Sequence, residues 1–449
     1  MFRYTLPVPT SIPTYSIKDV FKLTQSATDP DVLHFLDKFS NSDYCYWDTF
    51  RFKEPFPKSL NKEAAWGAVK LFRDIGKNKT IIQDEKKGVF TWRKLDYFDA
   101  FFHEIDMSTG GELFMFKGAM KQANKHKMMT RGIMEEAIAS SQLEGAVTTR
   151  KAAKRMLREG AKPQNESEQM ILNNYESMRA VEDQYKHRGM SMDLLLELHN
   201  MITKNTYDAD GKSPILRGEN DTVYVSDKST GAVYHEGPPA PFVKRELNKL
   251  IQFANNEIEN ERFIHPIIKA IMLHFWVGYL HPFTDGNGRL ARLIFYWYLI
   301  KEGYWAFTYL PISKVIKRSK KQYTMAYVYS EQDGRDLTYF IDYNIRKIQL
   351  AVQEFKNYAA KIGDENMSMK KRGEIEFDLN QRQIHLLQYF NGNPDERTSL
   401  KTHMNVNQVS KITALNDLKG LVAKGFLKRI KRGRSVYYYA DDKISILFK

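Results

Sequence analysis

One stretch decides most of what this chain is able to fold into: Leu273–Ile300, LHFWVGYLHPFTDGNGRLARLIFYWYLI. Two apolar segments flank the interruption HPFTDGN. Pro282 has no amide to donate and pushes His281 away from helical geometry, so the first segment predicts a helix ending near Leu280. Gly286 and Asn287 mark a tight turn from which a second apolar helix starts. Ile267, Ile271, His274, Phe275 and Gly278 share one face of the first helix, as a buried rod requires. The longest apolar run, Leu293–Ile300, is far short of the roughly 20 residues that cross a bilayer.

The bend collects chemistry. The start of the second helix offers unpaired backbone N–H groups and a positive dipole end, which suits an anion. Gly286 and Gly288 let a phosphate come close to the backbone, and Asn287 can add a side-chain donor. Arg289 and Arg292, three apart, fall on one side of the helix and offer bidentate donors to phosphate oxygens. Asp285 is a hard oxygen ligand of the type Mg²⁺ uses beside phosphates. His281 can accept a proton near neutral pH. Each part alone is commonplace; their coincidence within twelve residues is not.

HPFTDGNGRLAR resembles the signature HxFx(D/E)GNGRxxR of Fic (Fic/DOC) domains at every fixed position. The resemblance implies a mostly helical fold and transfer of AMP from ATP to a protein hydroxyl. It implies that the residue at His281 deprotonates a Ser, Thr or Tyr hydroxyl, and that Asp285 holds Mg²⁺ between the α- and β-phosphates. Gly286, Asn287 and Gly288 would cradle the phosphates, with Arg289 and Arg292 on the outer ones. Doc-type kinases carry Lys where this chain has Gly288, so nucleotidyl transfer is favoured over phosphorylation. Phosphocholine- and uridylyl-transferring members are excluded only weakly by the loop.

Further matches follow from the same resemblance. EEAIASSQLEG contains Ser140, Glu144 and Gly145 in the spacing of the family's inhibitory motif, (S/T)xxxE(G/N), at the end of an amphipathic helix near 131–145. Glu144 would then pair with Arg292 and keep it from the γ-phosphate. TVYVSDKSTGAVYHEGPP (Thr222–Pro239) reads as a β-hairpin within a helical region. It resembles the family's flap, which lines up a target segment as an added strand, with Val223, Val225 and Val233 as its strand residues. LPISKVIKRSKKQYTMAYVY resembles the helices closing the nucleotide pocket, where Tyr323 and Tyr327 would line the adenine or simply pack the core.

The rest of the chain sets the frame. The fold class expected is mainly α: a Fic-type helical core with a β-hairpin flap, a C-terminal winged-helix domain and a small N-terminal subdomain. Residues 1–103 mix aromatic strand-like pieces (YCYWDTFRF, GVFTW) with one helical stretch, Lys62–Asp74, and show no chemistry. Residues 104–363 form the helical domain, 364–373 read as a polar linker, and 374–449 as a third unit. In that unit three helices are expected: NQRQIHLLQYF, Thr398–Met404 with Thr398 or Ser399 as N-cap, and Asn407–Lys424 with Ile412, Leu415, Leu418 and Val422 inward. Two strands follow around Arg432-Gly433-Arg434, an order resembling a winged helix-turn-helix. Nine Lys/Arg against one acid, Asp417, between Thr398 and Arg434 would suit DNA phosphates, with Lys428, Lys431, Arg432 and Arg434 as contacts.

The net charge of +14, from 68 basic and 54 acidic residues among 449, also points to anionic partners. Cys45 is the sole cysteine, which excludes an internal disulfide and a cysteine-built zinc site and fits a reducing cytoplasm. The function expected is an autoinhibited protein adenylyltransferase using ATP and Mg²⁺, acting on a protein target, the chain itself included. Two rivals stand beside it: a DNA-binding regulator whose core senses nucleotide, and removal of AMP by the same site. A homodimer is left open.

Overall fold

The structure, a computed structural model, describes residues 2–448 apart from 14, 17, 20, 21, 23–30, 110–121, 207–215, 228, 260, 261, 395 and 434. The main elements, in chain order, begin with strand β1 (Phe2–Arg3), helices α1 (Val32–Ser40) and α2 (Lys62–Asp74), strands β2 (Asn78–Gln83) and β3 (Val89–Trp92), and α3 (Tyr97–Thr109). Then come α4 (Gln122–Leu143), α5 (Arg150–Glu159), α6 (Glu166–Asp183), α7 (Met192–Thr203), strands β4 (Tyr224–Ser226) and β5 (Ala232–Glu236), and α8 (Ala240–Ala254). The centre is α9 (Pro266–Leu280) and α10 (Asn287–Lys301), followed by α11 (Ile312–Lys317), α12 (Lys320–Gln332) and α13 (Thr338–Phe377). The C-terminal unit holds α14 (Gln381–Gly392), β6 (Arg397–Ser399), α15 (Leu400–Asn407), α16 (Lys411–Ala423), β7 (Leu427–Arg432) and β8 (Ser435–Ala440).

The molecule is mainly α-helical. α9 and α10 are buried on nearly every face, so the other helices wrap around them. Pro266 opens α9 at a position where its missing amide costs nothing. Trp276 and Trp297, both fully buried, fill the space between the central pair and its neighbours.

The structure sharpens the expectations for residues 1–103 and 364–373. The first hundred residues pack into the helical core: one continuous apolar cluster runs from Leu6 to Phe355. Arg73 is fully buried and donates to the Phe39 and Cys45 carbonyls and the Tyr339 hydroxyl. YCYWDTFRF is no strand; Trp47–Phe50 is one helical turn whose Trp47 and Phe50 pack on Trp66. Its aromatic density reports burial, not β-structure. The polar 364–373 segment lies inside the single helix α13, because Lys, Glu and Met are good helix formers.

The C-terminal unit has its own apolar cluster, including Leu387, Phe390, Leu418, Leu421 and Phe426. Its three strands order β6–β8–β7, all antiparallel. Ser399 caps α15 by accepting from the Thr402 amide. The next helix starts later than the expected Asn407, with Ser410 as its cap, and Ile412 turns outward at 74% exposure, which corrects its inward assignment.

Candidate active site

α9 ends where His281 adopts a left-handed conformation, φ 46° and ψ 58°, with its amide bonded to the Val277 carbonyl. That geometry is unfavourable for a side chain of this size and needs support from its surroundings. Arg217 supplies it. The arginine is 5% exposed. Its Nε donates to the His281 carbonyl at 2.8 Å, and an Nη donates to the Pro238 and Leu280 carbonyls. Its amide reaches the Pro282 carbonyl at 3.0 Å. Arg217 thus ties the hairpin's end to the bend between α9 and α10. Nothing in its spacing along the sequence marks it.

The His281 Nδ1 lies 3.1 Å from the Gly278 carbonyl, which can only accept. Nδ1 is therefore the protonated nitrogen, and Nε2 carries the lone pair. Burial pushes the imidazole down to about 4, with the Gly278 carbonyl opposing the shift, so the ring is neutral at pH 7. A neutral imidazole with one free nitrogen is a proton acceptor.

The loop after it is locked from within. Asn287 accepts from the Phe283 amide at 3.0 Å and donates to the Phe283 carbonyl at 2.7 Å. Its side chain thus braces the loop on which its expected phosphate contact depends. His199, fully buried on α7, stacks on Phe283 with centroids 3.5 Å apart and reaches the Asp285 carbonyl through Nε2 at 2.8 Å. Burial lowers its imidazole to about 4. The sequence does not single this residue out either; within MDLLLELHNMI it reads as an ordinary helix position. Gly286, at φ 79°, caps α10 in the left-handed region and faces Thr203 and His199 at close range.

Asp285 keeps its side chain 59% exposed, with Oδ2 accepting from Arg289 at 3.0 Å. Arg289 is 1% exposed and also donates to the Ile202 carbonyl at 2.7 Å. It sits inside the loop's framework, so its placement favours positioning Asp285. Among the described residues no three His, Cys, Asp or Glu gather as a metal site. One exposed carboxylate is nevertheless the donor set that fits Mg²⁺, which keeps waters and takes its other ligands from phosphates.

Arg292 is 3% exposed and is gripped by α4 and its end, with the Tyr323 hydroxyl also beside it. Its Nε donates to Ser140 Oγ at 2.8 Å; one Nη donates to the Ser140 carbonyl at 2.9 Å and to Glu144 Oε1 at 2.8 Å. The other Nη is buried with no hydrogen-bond partner among the described residues. Burial raises the Glu144 carboxyl, but the Arg292 guanidinium outweighs it and holds the group ionised. A Cβ on Gly288 would overlap the Glu144 carboxylate. The bare backbone of Gly288 therefore gives Glu144 its place beside α10. Lys320 fixes the same corner by donating to the Leu143 carbonyl at 2.7 Å. Gly145, at φ 108°, ends the turn.

The hairpin lies over the bend. β5 is the middle strand of a three-stranded sheet ordered β1–β5–β4, parallel to β1 and antiparallel to β4. Val225 lies on the outer strand, β4, and Val223 just precedes it, its carbonyl accepting from Gly237. Val233 has Arg3 on one side and Ser226 on the other. An added strand has no edge to pair with at Val233, which corrects its assignment to docking. Tyr323 bonds His274 Nε2 at 2.8 Å, and Tyr327 packs against Gly278 and the Phe275 and Phe340 rings. Their contacts are those of core side chains. In the C-terminal unit Lys431 and Arg432 are exposed, Lys428 pairs with Asp441 at 3.0 Å, and Arg434 lies outside the described residues.

Residues 189–299 match the family model described as Fic/DOC family. The chain is 30% identical to "Protein adenylyltransferase Fic" of Nematostella vectensis over 26% of this chain and 25% of that protein. It is 26% identical to "Protein adenylyltransferase fic-1" of Caenorhabditis elegans over 38% of this chain and 29% of that one. The match thus spans less than a third of these relatives' length. Among solved structures, a Fic family protein from Desulfovibrio desulfuricans superposes with a TM-score of 0.47 at 19% identity, covering 76% of this chain and 96% of its own. A C. elegans Fic-1 segment gives 0.49 at 16% identity, covering 77% and 93%.

Proposed function

We propose that this chain, which carries a Fic/DOC-family domain, transfers AMP from ATP to a hydroxyl of a protein target and is held back by its own Glu144. The observation that carries the reading is the pairing of two states around one bend: a neutral His281 whose Nε2 makes no hydrogen bond among the described residues, and an Arg292 occupied by Glu144.

The chemistry follows from the positions. The target oxygen attacks the α-phosphorus while His281 Nε2 takes the hydroxyl proton; the bond to the bridging oxygen breaks and pyrophosphate leaves. The first-turn amides of α10 and the arginines stabilise the phosphate charge. Asp285 would hold Mg²⁺, which supplies neutralisation of that charge. With Glu144 removed, Arg292 is freed for the outer phosphate.

The test is incubation of Glu144→Gly with ATP and Mg²⁺, read by intact mass. A gain of one AMP on the protein or an added target, increased at least about tenfold over wild type, is the expected result. His281→Ala in that background should lose about 10²–10⁴-fold. Unchanged labelling in Glu144→Gly counts against the inhibitory role.

A second reading applies to the C-terminal unit, read as a winged helix that binds DNA. Exposed Lys411 and Lys419 on α16 and exposed Arg429, Lys431 and Arg432 on β7 favour it. Among the described residues no helix is long and apolar enough to cross a membrane. The single, partly buried Cys45 fits a cytoplasmic setting.

A further inference from the structure

His235 is a buried, polar residue in the middle strand of the hairpin sheet, and the transfer chemistry makes no use of it. Its side chain is 8% exposed. Nδ1 lies 2.8 Å from Glu331 Oε2 on α12, and Nε2 lies 2.8 Å from the Tyr279 carbonyl in the last turn of α9. A carbonyl only accepts, so Nε2 must carry a proton. An ionised carboxylate also only accepts, so Nδ1 must carry one too. The geometry therefore asks for an imidazolium, bridging strand β5 to both helices that lead into the active site. Its ring centroid is 6.3 Å from that of His281. The other groups facing it are Arg3 from β1 and the Tyr279 ring from α9.

We infer that His235 is a positioning residue for AMP transfer: as an imidazolium it pins the flap to α9 and α12 and so fixes the height of the target-docking edge over His281. This rests on reading the β1–β5–β4 sheet as that flap. The electrostatics agree in direction. Burial alone would lower the imidazole, but Glu331 and the Tyr279 carbonyl outweigh it and raise it above its ordinary value. A raised group contributes its stabilisation in full below the ordinary imidazole value. That contribution is lost as pH rises through the raised value. The flap should therefore loosen on the alkaline side.

The tests use the full chain. Nitrogen-15 imidazole spectra at pH 7 should show both His235 nitrogens protonated. Hydrogen exchange of the Ala232–Glu236 amides, corrected for intrinsic rate, is followed over about pH 6–9. Wild-type protection should fall about tenfold as His235 deprotonates, the difference between a charged and a neutral hydrogen bond. In His235→Gln protection should be reduced and independent of pH, and in Glu331→Gln the fall should move to lower pH. Glu331→Gln keeps the test decisive if the buried His235 variant does not fold. A neutral imidazole at pH 7, or strand protection that is flat with pH in wild type, overturns the inference.

Its link to the reaction is read in the Glu144→Gly background, with ATP as the probe. Adding His235→Gln should slow labelling about tenfold with an unchanged KM for ATP. Equal labelling overturns the positioning role. No labelling in Glu144→Gly itself overturns the transfer reading instead, and leaves the exchange result standing as a property of the flap.

Discussion

At the scale of single residues, the site is built by side chains that spend their polarity on backbone. Asn287 answers both the amide and the carbonyl of Phe283, and Arg217 answers three carbonyls around the bend. Removing such a group leaves buried partners unsatisfied, at about 1–3 kcal/mol. Asn287→Ala should therefore lower stability by that amount, read as a lower urea midpoint with an unchanged m-value, although it deletes little apolar surface. His281, lowered to about 4 by burial, fixes a second expectation. A base must be deprotonated, so transfer should hold from neutral pH downward and fall only as pH drops through about 4. An acid limb near the ordinary imidazole value, in a kcat/KM profile of Glu144→Gly, would assign the base elsewhere.

At the scale of elements, the proposed control falls to α4, which carries Ser140 and ends at Leu143, one residue before Glu144. It is packed against its neighbours without slack. A Cβ on Gly132 would overlap the Thr308 carbonyl in the turn before α11. Gly132→Ala should cost about 1–3 kcal/mol by overpacking, despite its gain in helix propensity. It should also raise basal labelling if the helix shifts; a stabilised protein in thermal melts would contradict the tight approach. Glu135, on the same helix, is buried and ion-paired to Arg150 and Lys154 of α5. Burial opposes ionisation there, yet Arg150 and Lys154 bring the carboxyl from 4.5 to about 2. Its contribution is present above 4.5 and lost as pH falls toward 2. Glu135→Gln should show a shallower acid limb in stability between those values.

At the scale of the whole molecule, one core joins the first hundred residues to the central helices α9 and α10, while the C-terminal unit has a cluster of its own. Removal of residues 1–103 should abolish cooperative folding, whereas removal of 378–449 should leave the thermal transition of the core in place. On the proposed DNA-binding reading of the C-terminal unit, Lys431→Glu with Arg432→Glu should weaken binding to duplex DNA and flatten its dependence on salt by about one unit of slope for each phosphate no longer neutralised. Binding that ignores salt would point to a protein partner. The central bend was legible in the sequence because Pro282, Gly286 and the apolar runs act locally: covalent geometry and burial of adjacent residues fix where α9 stops and α10 starts. The same locality made Lys62–Asp74 and the 222–239 hairpin readable. The supports were not legible. Arg217, His199, His235 and Glu331 lie between 46 and 82 residues from His281. Only the folded packing brings their polar atoms to the bend and its flap, so no spacing announces them. Composition also misled where the deciding force was tertiary: a polar stretch became helix, and an aromatic one became core. Short-range sterics wrote the central bend into the chain. Long-range burial, which strips water from polar groups and makes each one find a partner, decided what holds that bend in place.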